Sequence, residues 1–292
     1  MILSIGEILV DMMGKGNEFS MKIGGAPFNM AANAVNAGAE ACFIGKIGAD
    51  VPGKFIRRES AKFGLKQIRL IEDQTRNTTL AFVTRVNGER SFSFFRNDTA
   101  DYNMDFDELN LSAFKPSLIH VGSLMLSSPQ GERLARRIVE YALINRIRLS
   151  FDVNLREDLW RDLDKARKVY RYFIDNSDIV KFSDDELLWF TDSYDLDDAI
   201  EKIKRRNSVV AVTRGSKGSV CVYNGEAIVF EVSEAVTPVD TTGAGDAFFG
   251  TLVAHLDGNE VSVENLAAAF SAANEAGSRA VSFEGALGHI GK

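Results

Sequence analysis

The chain predicts an α/β fold: a doubly wound, mainly parallel sheet flanked by helices, with a small β-sheet lid. Three observations carry this. Apolar, β-branched segments alternate with helix-like segments from the first residues onward, as repeated β-α-β units require. Two Asn-Gly pairs, Asn87-Gly88 and Asn224-Gly225, each lie between short β-rich runs, the strongest local hairpin signal. No internal repeat, low-complexity tract or Pro/Ser-rich linker divides the 292 residues, a length that fills one large core or a core with a small appendage.

Residues 2–10 are apolar and β-branched and read as one buried strand. Gly24-Gly25-Ala26-Pro27 then leads into an Ala-rich helix over 28–37, closed by Gly38; Pro near the start and Gly past the end is the expected asymmetry. Residues 41–47 read as strand and 52–63 as helix. Between residues 75 and 95 the alternation stops, and 78–86 with 91–95 form two β-rich runs, so this hairpin belongs to a separate small sheet. Alternation resumes with strands at 118–121 and 148–153 around a helix at 129–145. A strand at 179–182, a short helix from Asp184 and a strand at 209–213 follow. Residues 220–223 and 227–232 form the second hairpin, and helices over 244–255 and 262–280 finish the chain. The division expected is a body of residues 1–10, 25–74 and 101–292, and a lid of residues 11–24 and 75–100.

Thirty-four Lys and Arg against 41 Asp and Glu give a net charge of −7. This excludes an extended phosphate-neutralising surface, so no nucleic-acid partner is expected. Basic pairs such as Arg57-Arg58, Arg136-Arg137 and Arg205-Arg206 fall on helix-like segments as solvated faces. Cys42 and Cys221 sit in apolar strands without ligand spacing, as buried thiols of a reducing compartment do. Glu7 interrupts the first apolar run, which has no basic start or cleavage site, and no stretch is long and apolar enough to span a bilayer. The expectation is a cytoplasmic protein without membrane partners.

The most informative stretch is Val239-Asp-Thr-Thr-Gly-Ala-Gly-Asp-Ala-Phe248. Polar residues and glycines pass directly into an apolar helix, whose unpaired N–H groups and positive dipole end bind anions. Gly243, Ala244 and Gly245 let backbone amides approach a phosphate. Asp246 either stabilises the helix start or serves as a general base beside the anion site. Gly24-Gly25 permits close approach to a ligand, with Asn29 in reach of its polar groups, or is an ordinary turn. No GxxxxGK[ST] nucleotide loop occurs.

The 239–248 string resembles the C-terminal signature of the ribokinase-like (PfkB) carbohydrate kinase family. Gly24-Gly25-Ala-Pro-Phe-Asn29, with Ile44-Gly-Lys-Ile-Gly-Ala-Asp50 and Gly53, resembles its N-terminal signature. The resemblance covers essentially the whole chain. Asp246 then corresponds to the catalytic base, the amides of Gly243, Ala244 and Gly245 to the anion hole, and Asp11, Gly24, Gly25 and Asn29 to sugar-binding positions. Ser91-Phe-Ser-Phe-Phe95-Arg96 with Asp101, and Phe151-Asp-Val-Asn-Leu-Arg156 with Trp160, are similar to the fructokinase branch. Arg96 and Arg156 offer planar donors for sugar or phosphoryl oxygens, or are solvated surface residues. Phe92, Phe94 and Phe95 there also suit the packed face of a small sheet.

Thr213, Gly215 and Gly218 match the family's nucleotide-side loop, together with Gly243, Gly245 and the adenine-pocket position Asn274. Glu186 falls on an Asn-x-x-Glu motif that holds magnesium through water, but Ser183 replaces the Asn; Ser183 and Glu186 also form a capping box. Asp240 and Thr242, with main chain near Ala280 and Gly285, lie where many relatives hold potassium. The resemblance implies ATP, Mg²⁺ and K⁺ as cofactors, a homodimer through the lid, and fructose as substrate. Its rivals are a sister kinase for 2-keto-3-deoxygluconate, ribose or a nucleoside, and a non-catalytic sensor.

Overall fold

The computed structural model describes residues 1–15, 17–86, 89–204, 208–232 and 236–291. The elements run β1 (Ile2–Ile5), β2 (Leu9–Lys15), β3 (Glu18–Gly24), α1 (Ala26–Asn36), β4 (Ala41–Gly48), α2 (Val51–Ser60), β5 (Gln67–Asp73), β6 (Leu80–Val86) and β7 (Glu89–Phe95). Then come α3 (Phe106–Leu109), β8 (Leu118–Val121), α4 (Pro129–Ile144), β9 (Arg148–Asp152), α5 (Leu163–Asp175), β10 (Ile179–Ser183), α6 (Asp184–Thr191) and α7 (Leu196–Ile203). The chain closes with β11 (Val209–Thr213), β12 (Ser219–Tyr223), β13 (Glu226–Phe230), α8 (Ala244–Leu256) and α9 (Val263–Ala280).

The large sheet has the order β13-β12-β11-β10-β9-β8-β1-β4-β5. Its seven strands from β5 to β11 are parallel, and β12 and β13 run antiparallel at one edge. Beside β1 the winding reverses, with β4 on one flank and β8 on the other. In an open α/β sheet this switch point opens a crevice beyond the strands' carboxyl ends. A separate four-stranded sheet has the order β3-β2-β6-β7.

The N-terminal apolar run departs from expectation. It is two strands in two sheets: β1 pairs with β4 and β8, whereas β2 pairs with β3 and β6. Asp11 therefore lies within β2 of the small sheet and does not simply follow a strand of the large one. The reason is that both halves are buried, since Ile8 and Val10 enter a core shared by the two sheets with Ile23, Phe28, Phe43 and Ile47. The Asn224-Gly225 turn joins β12 to β13, with both residues at positive φ. β6 and β7 pair across Asn87-Gly88, but that turn, like the Arg205-Arg206 pair, lies outside the described residues. β3, β5, α3, α5 and α7 add to the expected elements. Cys42 and Cys221 are buried free thiols. Among the described residues no helix is long and apolar enough to cross a membrane.

Two buried polar groups sit where the sheets meet. Arg96 donates from Nε (2.9 Å) and Nη2 (2.5 Å) to Asp101 Oδ2 and from Nη1 to the Leu124 carbonyl, with Tyr102 beneath its guanidinium. Glu7 is 1% exposed, and neither carboxylate oxygen has a hydrogen-bond partner. Burial pushes its pKa from 4.5 to about 8, against the pull of Arg96. Between these values the unfolded chain releases the proton and the native protein keeps it. Stability is therefore intact below pH 4.5 and lost as pH rises toward about 8, by up to about 5 kcal/mol at ~1.4 kcal/mol per unit. Glu7→Gln should remove this loss. In urea titrations its stability gain over the native protein should be larger at pH 8 than at pH 5; a gain independent of pH would show that Glu7 is ionised in the fold.

Candidate active site

Three segments converge beyond the carboxyl ends of the large sheet. The first is the double glycine. Gly25 caps α1 with φ 111°, and a Cβ there would fall 2.5 Å from the Glu7 carbonyl oxygen. A side chain at Gly24 would collide with the Asp11 carboxylate at 2.3 Å, so glycine makes room for that acid across the β2–β3 pair. In the neighbouring signature stretch Asp50 caps α2 through Gly53 N–H and also accepts from Thr78 N–H and Oγ1.

The second segment is the loop entering α8. Gly243 caps this helix at φ 78°, and its first i→i−4 bond runs from Ala247 N–H to the Gly243 carbonyl. The amides just before Ala247 thus precede the helix's own hydrogen bonding. At Gly250 a Cβ would stand 2.4 Å from the Met30 carbonyl oxygen and 2.7 Å from Asn33 Cβ, so glycine lets α8 lie backbone-close on α1. One turn earlier, Asn29 Nδ2 donates to Asp246 Oδ2 at 2.8 Å. The third segment comprises the ends of β9 and β10. Asp152 and Lys181 are register partners, and Lys181 Nζ donates to Asp152 Oδ1 at 2.8 Å.

Together these enclose a cleft of about 340 Å³ lined by Asp11, Gly25, Asn29, Arg156, Thr242, Gly243, Gly245 and Asp246 from the expected set, whereas Gly24 does not line it. A second cavity of about 280 Å³ adjoins it through Thr241 and Gly245. Thr213, Gly215, Gly218, Ala244 and Asn274 line this second cavity, while Gly243 lines only the first. Arg96 lines neither. It faces an adjoining groove of about 920 Å³, is 4% exposed rather than solvated, and is held by Asp101. Phe94 borders both that groove and the cleft, whereas Phe95 is 62% exposed.

Burial raises the Asp246 pKa, while the Asn29 hydrogen bond, Lys181 and Arg156 pull it back. Burial also raises that of Asp152, against Lys181. For Lys181 burial works against the charge, but Asp152 and Glu186 more than offset it and the net direction is up. Two cations, Lys181 and Arg156, thus stand among the carboxylates of Asp11, Asp152 and Asp246, with Glu186 acting on Lys181 from nearby.

Glu186 forms the expected capping box with Ser183, and its other oxygen accepts from Leu155 N–H. No three acidic, His or Cys side chains among the described residues form a metal cluster by themselves. A divalent ion that arrives with nucleotide phosphates and keeps its waters fits this excess of negative charge. Asp240 is buried; Oδ1 accepts from Thr242 N–H and Oδ2 from Gly285 N–H, while its own N–H reaches Val281 O beside Ala280. Thr242 Oγ1 is buried next to it without a partner. An orphaned hydroxyl oxygen beside a carboxylate suits a monovalent cation.

The pfkB family carbohydrate kinase model matches residues 2–289. This chain belongs to that family. It is 36% identical to fructokinase-1 of Zea mays over 271 residues, which cover 87% of this chain and 82% of the relative. It is 31% identical to the fructokinase of Vibrio alginolyticus, with 97% and 93% covered. A crystal structure of a Vibrio cholerae fructokinase double mutant with fructose, ADP and a potassium ion superposes with a TM-score of 0.90. It is 25% identical, and the match covers 99% of this chain and 94% of that one.

The kinase's cleft also contains groups not expected from the sequence, chiefly Asp152, Asn154 and Lys181, with Thr241 between the cavities. A signal existed for two of them. Asp152 and Lys181 each put a charge into an otherwise apolar core strand, Phe151-Asp152-Val153 and Val180-Lys181-Phe182, which is rare without a paired partner.

Proposed function

We propose that this kinase transfers the γ-phosphoryl group of ATP to the primary hydroxyl of fructose, yielding fructose 6-phosphate. The Asn29–Asp246 hydrogen bond carries the reading, because it joins the double-glycine segment to the acid beside the anion loop. Asp11, Gly24, Gly25 and Asn29 hold the sugar. ATP lies in the adjoining cavity, its base toward Asn274 and the Thr213, Gly215 and Gly218 loop, its γ-phosphate at the shared wall of Gly245. Asp246 accepts the proton of the attacking hydroxyl. The Gly243, Ala244 and Gly245 amides, with Arg156, offset charge on the transferring group, which is most of what phosphoryl transfer demands. That relatives of similar length are fructokinases supports the choice of sugar.

Glu186 would help to hold magnesium, which would supply further neutralisation of the phosphates. Asp240 and Thr242, with main chain at Ala280 and Gly285, would hold potassium; a crystal structure of the Vibrio cholerae enzyme contains that ion. Residues 1–10, 25–74 and 101–292 form the body, and 11–24 with 75–100 a lid whose closure excludes water. Lid strands β3 and β7 are sheet edges, and Phe19 and Phe95 there are 45% and 62% exposed. That supports a homodimer formed through the lid, in the cytoplasm.

A coupled ADP-release assay over fructose, 2-keto-3-deoxygluconate, ribose and a nucleoside tests the reading. Turnover chiefly with fructose is expected. Preference for the sugar acid would overturn the choice of sugar, and binding without ADP release would overturn catalysis. A sugar acid needs a cation; Arg96 is already committed to Asp101 and the Leu124 carbonyl, so it would have to come from Arg156 in the cleft, which this reading commits to the phosphoryl group.

A further inference from the structure

Lys181 is a charged group in the cleft to which the mechanism above gives no work. It is 5% exposed, stands at the carboxyl end of β10, and lines the cavity that contains Asp246. Its ammonium has three donors. Asp152 takes one at 2.8 Å, and Nζ makes no other hydrogen bond among the described residues. A Cβ placed on Gly245 would lie 3.3 Å from Nζ, so the free donors sit against the start of α8, where backbone amides precede the helix's own bonding. An ammonium kept out of water with unused donors is costly unless an anion completes its shell.

We infer that Lys181 binds a non-bridging oxygen of the phosphoryl group in transfer, facing the Gly243–Asp246 amides, and that Asp152 holds it in position. This rests on the kinase reading but not on the identity of the sugar. In the step, the sugar oxygen forms a bond to the γ-phosphorus, and the bond from phosphorus to the bridging oxygen breaks with its electron pair leaving on ADP. The hydroxyl proton goes to Asp246. Lys181 keeps all its protons and supplies charge alone. Ser183, at the end of β10, and Glu186, in the first turn of α6, use their side chains on each other's backbone, and Lys181 is the one cation that β10 carries.

Lys181→Met should lower kcat about 100-fold, the scale of one lost transition-state donor. It should weaken a non-hydrolysable ATP analogue about tenfold and ADP less than about twofold, because only the γ-phosphate reaches the ammonium. Since the single variant leaves Asp152 buried and unpaired, the double variant Lys181→Met/Asp152→Asn is measured beside it. If Lys181 acts on the phosphoryl group, the double variant melts close to the native protein yet stays slow and keeps its selective loss of the ATP analogue. Recovery of kcat in the double variant, or equal weakening of ADP and analogue, would assign Lys181 a structural role and overturn the inference. The analogue comparison uses no sugar, so it decides the matter even if fructose is not the acceptor.

Discussion

Asp246→Asn should reduce kcat about 10²–10⁴-fold, the usual contribution of a general base, while sugar and ATP still bind within a few-fold of the native affinities. The substitution is unusually clean here. Asn29 donates to Asp246 Oδ2, and an asparagine at 246 offers its own amide oxygen to the same donor, so the contact between α1 and α8 survives while the capacity to take a proton is lost. The pH profile provides an independent check. Burial raises the pKa of Asp246, and a base works only when unprotonated. Activity of the native enzyme should therefore fall as pH is lowered through that raised value, with an acid limb above the ordinary carboxylate range. The Asn variant's residual activity should lack that limb. Near-native kcat in Asp246→Asn would remove the general-base assignment.

How much of this was legible in the sequence differs by residue. The Thr241-Thr-Gly-Ala-Gly-Asp246 loop was legible as an anion-binding helix start, but the part played by Asp246 was legible only through the longer string's resemblance to a family signature; the loop converges with Gly25 and Asn29 in the fold. The alternation of strands and helices was likewise legible, since each parallel strand is a short apolar run bounded by helix caps. The exit of the chain from the large sheet between Ile5 and Leu9 was not legible. Hydropathy is uniform there because both sheets bury their share, with Ile5, Ile8 and Val10 all fully covered. Only Glu7 marked the crossing. The edge strand β5, Gln-Ile-Arg-Leu-Ile-Glu-Asp, alternates weakly and carries charges that hide it.

Side-chain fates were the least legible part. Arg96 and Arg156 look alike in sequence, each following an aromatic-rich or apolar strand. The fold buries Arg96 in an ion pair with Asp101 and turns Arg156 into the cleft. What separates them is a carboxylate five residues beyond Arg96, held by Thr79 and Thr99, a tertiary contact that no local pattern encodes. The converse holds for Lys181: its local setting is that of a core strand, and only the register with β9 supplies Asp152.

Gly243→Ala should damage both the fold and turnover. The residue sits at φ 78°, where alanine is strained by about 1 kcal/mol or more, and its Cβ would lie 2.5 Å from Ala286 Cα and 2.6 Å from the Ala286 oxygen. Those are backbone atoms, so no rotamer change relieves the overlap. Either the 285–287 turn, tied to Asp240 through Gly285 N–H, or the start of α8 must move. Destabilisation of about 2–4 kcal/mol is expected on the scale of core strain. The larger effect should fall on turnover. Gly243 caps the helix that carries Gly245 and Asp246, and displacing a reacting group by ~1 Å costs about 10²-fold. Thermal unfolding and steady-state kinetics on one preparation separate the two effects: saturating ligand should recover the folded fraction but not kcat. A variant with native kcat would mean that the α8 start does not fix the geometry of transfer, and the account of the anion loop would have to be rebuilt on the side chains around it.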